Sequence, residues 1–200
     1  AVTNVANAQT VFYFTSSTIT NGVMNGNAMT IIPGQNNWVV NATHPYPEYR
    51  PKDILFSFTR IPSDTADDNS YQWWNIGFAP EQGRDFVIGK TYQATRWPFQ
   101  SATSAGMDFS GNGWGNNELS GWFTVLDFST GAQGQILSAA FDFVQVNENI
   151  ATNWNFGSLR YNSNVPLTTS TVPEPATSVL LIVGLGLIVY ITVSRGWAAS

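Results

Sequence analysis

The chain has 200 residues, with 13 acidic and 8 basic side chains, a net charge of −5 at neutral pH and only 10% of its residues charged. It has no cysteine, which excludes disulfides, thiol nucleophiles and thiolate metal sites. It also has no basic block to neutralise phosphates, which excludes nucleic acid as a partner.

From the N-terminus the pattern is strand after strand. Short runs rich in β-branched and aromatic residues occupy 10–16, 24–32, 38–41, 53–60, 72–78, 91–96, 119–128, 135–146 and 154–161. Clusters of Gly, Asn, Pro or Ser punctuate them, the spacing expected of an all-β antiparallel sandwich or jelly roll over 1–163. The clearest hairpin joins 122–128 to 136–146 through the turn-forming stretch 129–134. In its second arm Leu137, Ala139, Phe141 and Phe143 fall on one face at period two, with Ser138 and Asp142 on the other. Ala1 in place of an initiating methionine fits a mature protein whose export signal has been removed.

His44, the only histidine, lies in the proline-rich segment Asn41-Ala42-Thr43-His44-Pro45-Tyr46-Pro47. No partner motif surrounds it, so it reads as a loop histidine and not as the base of a relay. Asp85, Asp108, Glu118, Asp127, Asp142 and Glu148 are carboxylates expected to face solvent. Glycoside hydrolysis needs two acids at a fixed separation, and nothing in the sequence pairs any two. Asp64, Asp67, Asp68 and Asn69 concentrate oxygen ligands in one loop and make a weak calcium candidate, although their spacing is not that of an EF-hand. Gly111-Asn112-Gly113-Trp114-Gly115 is glycine-rich but lacks the Lys-Ser/Thr of a phosphate-binding loop.

Eight tryptophans are present. Trp73, Trp74, Trp97 and Trp114 fall on or near strands and glycine-rich loops, where aromatic rings serve a core, a protein interface or a platform for sugar rings. Adjacent Trp73 and Trp74 must point to opposite faces of a strand.

Beyond the β region, 164–175 read as a polar stalk, followed by twenty uncharged residues between Glu174 and Arg195. As a helix this run covers about 30 Å, the hydrocarbon thickness of a bilayer. The expectation is a transmembrane helix over 176–194 and a tail at 195–200. Arg195 places that tail on the cytoplasmic side and the β-domain in the periplasm. Pro173, Glu174 and Pro175, the apolar run and Arg195 together resemble the PEP-CTERM sorting signal of exported Gram-negative proteins. The resemblance implies recognition of the tail by a membrane-bound exosortase. Separately, Gly89-Lys90-Thr91-Tyr92, Arg96-Trp97-Pro98-Phe99, Phe109-Ser110-Gly111-Asn112-Gly113, Gly121-Trp122-Phe123-Thr124-Val125 and Gly157-Ser158-Leu159-Arg160-Tyr161-Asn162-Ser163 resemble a loosely defined family of bacterial exported β-proteins. That similarity implies a compact β-sandwich and no activity.

Low charge and many aromatics suit a surface buried against partners. The expected function is therefore a non-enzymatic, membrane-anchored subunit packed on integral membrane proteins of a larger complex, such as a photosynthetic or respiratory assembly. The alternative is an exported surface or matrix protein that binds exopolysaccharide through exposed aromatics. Enzyme action ranks last, and no cofactor beyond calcium is expected.

Overall fold

A computed structural model describes residues 7–17, 26–62 and 71–169. These residues are all-β and form a single ten-stranded sheet. In chain order the strands are β1 (Gln9–Ser16), β2 (Ala28–Ile31), β3 (Trp38–Thr43), β4 (Ile54–Arg60), β5 (Gln72–Ala79), β6 (Thr91–Arg96), β7 (Ala105–Gly111), β8 (Leu119–Thr130), β9 (Ile136–Asn147) and β10 (Trp154–Ser163). Their order across the sheet is β2-β1-β10-β9-β8-β6-β7-β5-β4-β3. All neighbours are antiparallel except β6 and β7. The expected transmembrane helix falls outside the described residues, among which no helix is long and apolar enough to cross a membrane.

Two separate sheets, as in a sandwich, do not form. β6 pairs antiparallel with β8 on one side and parallel with β7 on the other, so hydrogen bonds run without a break from one half to the other. The sheet curls until its two halves face each other. Rings cross the interior, with Phe12 of β1 stacked on Phe58 of β4 at 5.1 Å and Phe78 of β5 on Phe141 of β9 at 4.4 Å. Phe12, Phe14, Phe56, Phe58, Phe78, Phe109, Phe123, Phe141 and Phe143 are wholly buried, so this nearly closed barrel is filled and not hollow. Each such ring contributes about 1.5–3 kcal/mol by leaving water. Gly157 makes room for one of them, since a β-carbon there would lie 2.2 Å from the Phe143 ring. β2 and β3 are the two edges, consecutive in the chain and joined by the turn at 32–37.

The sequence pattern does not disclose β7. It follows β6 in parallel through a crossover at 97–104, laid over the outer face of the sheet. There the Trp97 ring occupies the place of a side chain at Gly77, whose β-carbon would lie 2.7 Å from it. β6 stops at Arg96, short of the upper part of β7. Beyond that point the Gln145 side chain takes over, accepting from the Phe109 N–H at 2.7 Å and donating to its carbonyl at 3.0 Å. One amide thus continues the ladder where a strand has ended.

The β8–β9 hairpin forms, closed by the Gly131 N–H donating to the Gln135 carbonyl. Leu137, however, does not share the face of Ala139, Phe141 and Phe143. The register steps from Thr130↔Ile136 to Ser129↔Ser138, so Leu137 is the extra residue of a bulge. It is 48% exposed, and Ile136 is buried in its stead.

Candidate functional site

Four constellations of polar or aromatic groups stand out on this framework. The first lies at the end of the barrel formed by the β3–β4, β5–β6 and β8–β9 connections. A cavity of about 570 Å³ opens there, lined by residues that include Thr43, His44, Lys52, Asp85, Phe86 and Gln135. The His44 ring bridges two connections, with Nδ1 3.0 Å from the Asp53 carbonyl and Nε2 2.9 Å from the Gly134 carbonyl. Both nitrogens lie within hydrogen-bond distance of backbone carbonyls, so the ring ties the two loops together. Lys52 Nζ meets Asp85 at 2.6 Å on the rim. Below them the Asp53 carboxylate is buried, and burial raises its pKa. The Trp97 indole N–H donates to it at 2.8 Å, with Arg50 at 3.6 Å, and both act in the opposite direction.

The second lies on the outer face of β5 and β7. Burial pushes the Asp108 carboxyl up to about 6, against a hydrogen bond from Ser110 and the charge of Arg96. The Arg96 guanidinium lies 4.8 Å from the centre of the Phe99 ring and donates to the Asn117 carbonyl at 3.0 Å. Phe99 is 73% exposed.

The third is a buried amide ladder at the opposite end of the barrel. Gln145 donates to Asn147, Asn147 to Asn153, and Asn155 to Asn147, each at 3.0 Å. These bonds satisfy most of a polar group set that would otherwise be expensive to bury.

The fourth is on the outer face of β9 and β10. Arg160 is wholly buried there, and each of its three side-chain nitrogens donates. Nε reaches the Val165 and Pro166 carbonyls at 3.2 and 3.0 Å. Nη1 reaches Asp142 Oδ1 at 2.8 Å and the Phe141 and Leu159 carbonyls. Nη2 reaches the Pro166 carbonyl at 2.7 Å and Thr168 Oγ1 at 3.4 Å. Thr168 in turn donates its hydroxyl to Asp142 Oδ2 at 2.7 Å and its amide to Ser158 Oγ at 3.0 Å. Residues 164–169, expected as the start of a stalk, therefore pack on the sheet, and the compact unit runs to Thr169.

The structure disperses the four tryptophans. Trp74 points into the core and is 2% exposed, stacked on Phe109 at 5.6 Å. Trp73 is half-buried on the opposite face of the same strand. Trp97 is buried beside Asp53. Only Trp114, 42% exposed, offers much of its ring to solvent. The carboxylates are dispersed too. Asp127 accepts from Ser138 and Ser163, Asp142 from Arg160, Ser158 and Thr168, Glu118 from Asn149, and Glu148 from the Asn117 amide. Asp64, Asp67, Asp68 and Asn69 lie outside the described residues, as do Pro173, Glu174, Pro175 and Arg195. Among the described residues no group of His, Asp and Glu gathers that could hold a metal ion.

The Arg160 cluster escaped sequence reasoning because a lone Arg in an alternating strand has the pattern of a solvated residue. Its only signal was its place in Gly157-Ser158-Leu159-Arg160-Tyr161-Asn162-Ser163, and each of four of these residues has a structural task. Gly157 admits Phe143, Ser158 and Arg160 hold the C-terminal segment, and the Ser163 hydroxyl accepts from the Val165 amide.

The described part of the molecule is a filled β-domain whose C-terminal segment is pinned to its surface. Residues 171–195, which follow that segment, match the PEP-CTERM protein-sorting motif. The resemblance carried by Pro173, Glu174, Pro175 and Arg195 is thereby established, and the motif marks an exported protein with a C-terminal membrane anchor. No curated protein and no solved structure gives a significant match to the chain.

Proposed function

We propose that the chain is a non-enzymatic structural subunit, anchored through its C-terminal segment, whose β-domain packs in the periplasm on integral membrane proteins of a larger complex. The observation that carries this reading is the filled interior. Nine fully buried phenylalanine rings leave no lumen for a substrate, so whatever the domain recognises meets its rim or its outside. The carboxylates that a hydrolase would bring together are instead spent on separate hydrogen bonds. Exposed Ile32, Val39 and Ile61 lie around the β2–β3 turn, where the Ile61 amide donates to the Asn37 carbonyl, and they supply apolar area for a protein contact.

Binding of exopolysaccharide is the second reading. It rests on the exposed Phe99 ring with Arg96 against it and on the half-exposed Trp114. The dispersal of Trp73, Trp74 and Trp97 removes the row of indoles that would favour it more strongly.

Gentle detergent extraction from native membranes, followed by sizing and mass spectrometry, tests the choice. A subunit co-elutes in fixed stoichiometry with other membrane proteins and buries on the order of 1,000 Å² or more against them. Elution as a lone species, or release to the medium without its tail, overturns the subunit reading and favours the polysaccharide one.

A further inference from the structure

The Arg160 cluster ends where the sorting motif begins. Among the described residues Thr168 is the last whose hydrogen bonds tie it to the sheet, the compact unit closes at Thr169, and the matched motif starts at residue 171. We propose that Arg160 and Asp142 form a fold-dependent latch on residues 164–169, the exit segment, so that only three residues of chain separate the held segment from Pro173-Glu174-Pro175. This deepens the reading of the tail as a sorting signal and rests on it.

The geometry is that of a built clamp. A guanidinium offers its donors in a rigid planar fork, and here the fork spans the Val165 and Pro166 carbonyls of the exit segment and one carboxylate of β9. The carboxylate is shared. Asp142 Oδ1 takes Arg160 and the Ser158 hydroxyl, while Oδ2 takes the Thr168 hydroxyl. The Val165 amide is held as well, donating to Ser163 Oγ at 3.3 Å. Every one of these partners sits on β9, β10 or the exit segment itself, so the clamp exists only once those two strands have paired.

The consequence is a matter of reach. If residues 164–172 were all unheld, the chain from β10 to Pro173 could span up to roughly 30 Å, whereas residues 170–172 alone can span at most roughly 10 Å. A membrane-bound protein that grips the Pro-Glu-Pro segment must therefore reach it within that covalent length of Thr169. A chain whose last two strands have not paired offers it a longer, looser substrate.

The test uses the purified full chain in detergent, a broad-specificity serine protease and mass spectrometry of the fragments. Thr168→Val removes the hydroxyl shared with Asp142, and Arg160→Lys keeps the charge but loses the fork. In the unaltered chain, no cut is expected within 164–168. In both variants, cuts within 164–168 should appear at least about tenfold faster while the strands stay intact, the change that loss of one charge-assisted hydrogen bond makes in a local opening equilibrium. Equal cutting within 164–168 in all three chains overturns the latch. Should Arg160→Lys fail to fold, Thr168→Val decides. In cells with the cognate sorting system, Thr168→Val and a four-residue Gly/Ser insertion after Thr169 should both lower the fraction of chain that loses its tail. Unchanged tail loss in both overturns the presentation role. An unaltered chain that never loses its tail overturns the sorting reading, while the protease arm still judges the latch.

Discussion

The Trp97 indole N–H donates to Asp53 Oδ2 at 2.8 Å, joining the β3–β4 connection to the crossover between β6 and β7. The two residues are 44 apart in sequence, and both are buried. The same ring covers Gly77 of β5, so one side chain seals the outer face of the sheet and satisfies a buried carboxylate. Trp97→Phe keeps the covering and loses the donor. It should destabilise the domain by about 1.5–3 kcal/mol, the range for a hydrogen bond to a charged group. A double-mutant cycle with Asp53→Asn, read by urea unfolding, checks this, since a coupling energy near zero would show that the bond contributes nothing.

Asp108 makes stability depend on pH. Its folded pKa of about 6 lies above the ordinary value of 3.8. The unfolded chain therefore gives up this proton first as pH rises. Stability from this group is fully present below about pH 4, declines as pH rises through 4 to 6, and stays low above that. Asp108→Asn should remove the decline and raise stability at pH 7.5 by about 1–2 kcal/mol relative to the unaltered chain, after allowance for partial exposure. Unfolding of both proteins at pH 4 and 7.5 measures the difference, and parallel pH profiles would count against the assignment.

Gln145 is the residue whose loss exposes the missing length of β6. Gln145→Leu leaves the Phe109 N–H and carbonyl without their partner in a buried setting. The expected cost is about 2–4 kcal/mol, with two buried groups unpaired. Amide exchange localises the effect, because the Phe109 amide should lose protection well before the amides of β9.

The bulge at Leu137 predicts a contrast between neighbours of similar character. Leu137→Thr should change stability by less than about 0.5 kcal/mol, since the side chain already faces water. Phe141→Ala, four residues along the same strand, should cost about 3–5 kcal/mol because it empties the contact with Phe78 and Phe123. Similar costs at both positions would restore Leu137 to the buried face.

Strand positions were legible because alternation is a local property. The runs at 10–16, 72–78 and 154–161 coincide closely with β1, β5 and β10. The opposed fates of Trp73 and Trp74 follow from the same period of two. What was not legible depends on partners distant in sequence. β7 reads Ala-Gly-Met-Asp-Phe-Ser-Gly, with two glycines diluting its pattern, and it is a strand because β5 and β6 pair with it. Leu137 left its face because β8 opposite it has one residue fewer. Arg160 is buried only because residues 165–168 return across the sheet to meet it, and nothing in its own strand announces that return. His44 is the loop residue that its proline-rich surroundings predict, but no local pattern marks its two carbonyl partners, one of them 90 residues away.

The edges of the sheet, β2 and β3, are neighbours along the chain as well as the two ends of the strand order. An exposed edge invites a strand from another molecule. Here both edges belong to one short loop, which at full stretch spans only about 20 Å. A visiting strand would have to enter a slot whose two walls are leashed to each other. The chain thus obtains by covalent leash part of the self-avoidance that a closed barrel obtains by its last ladder. Lengthening the 32–37 loop is the change expected to turn this exported domain into one that polymerises.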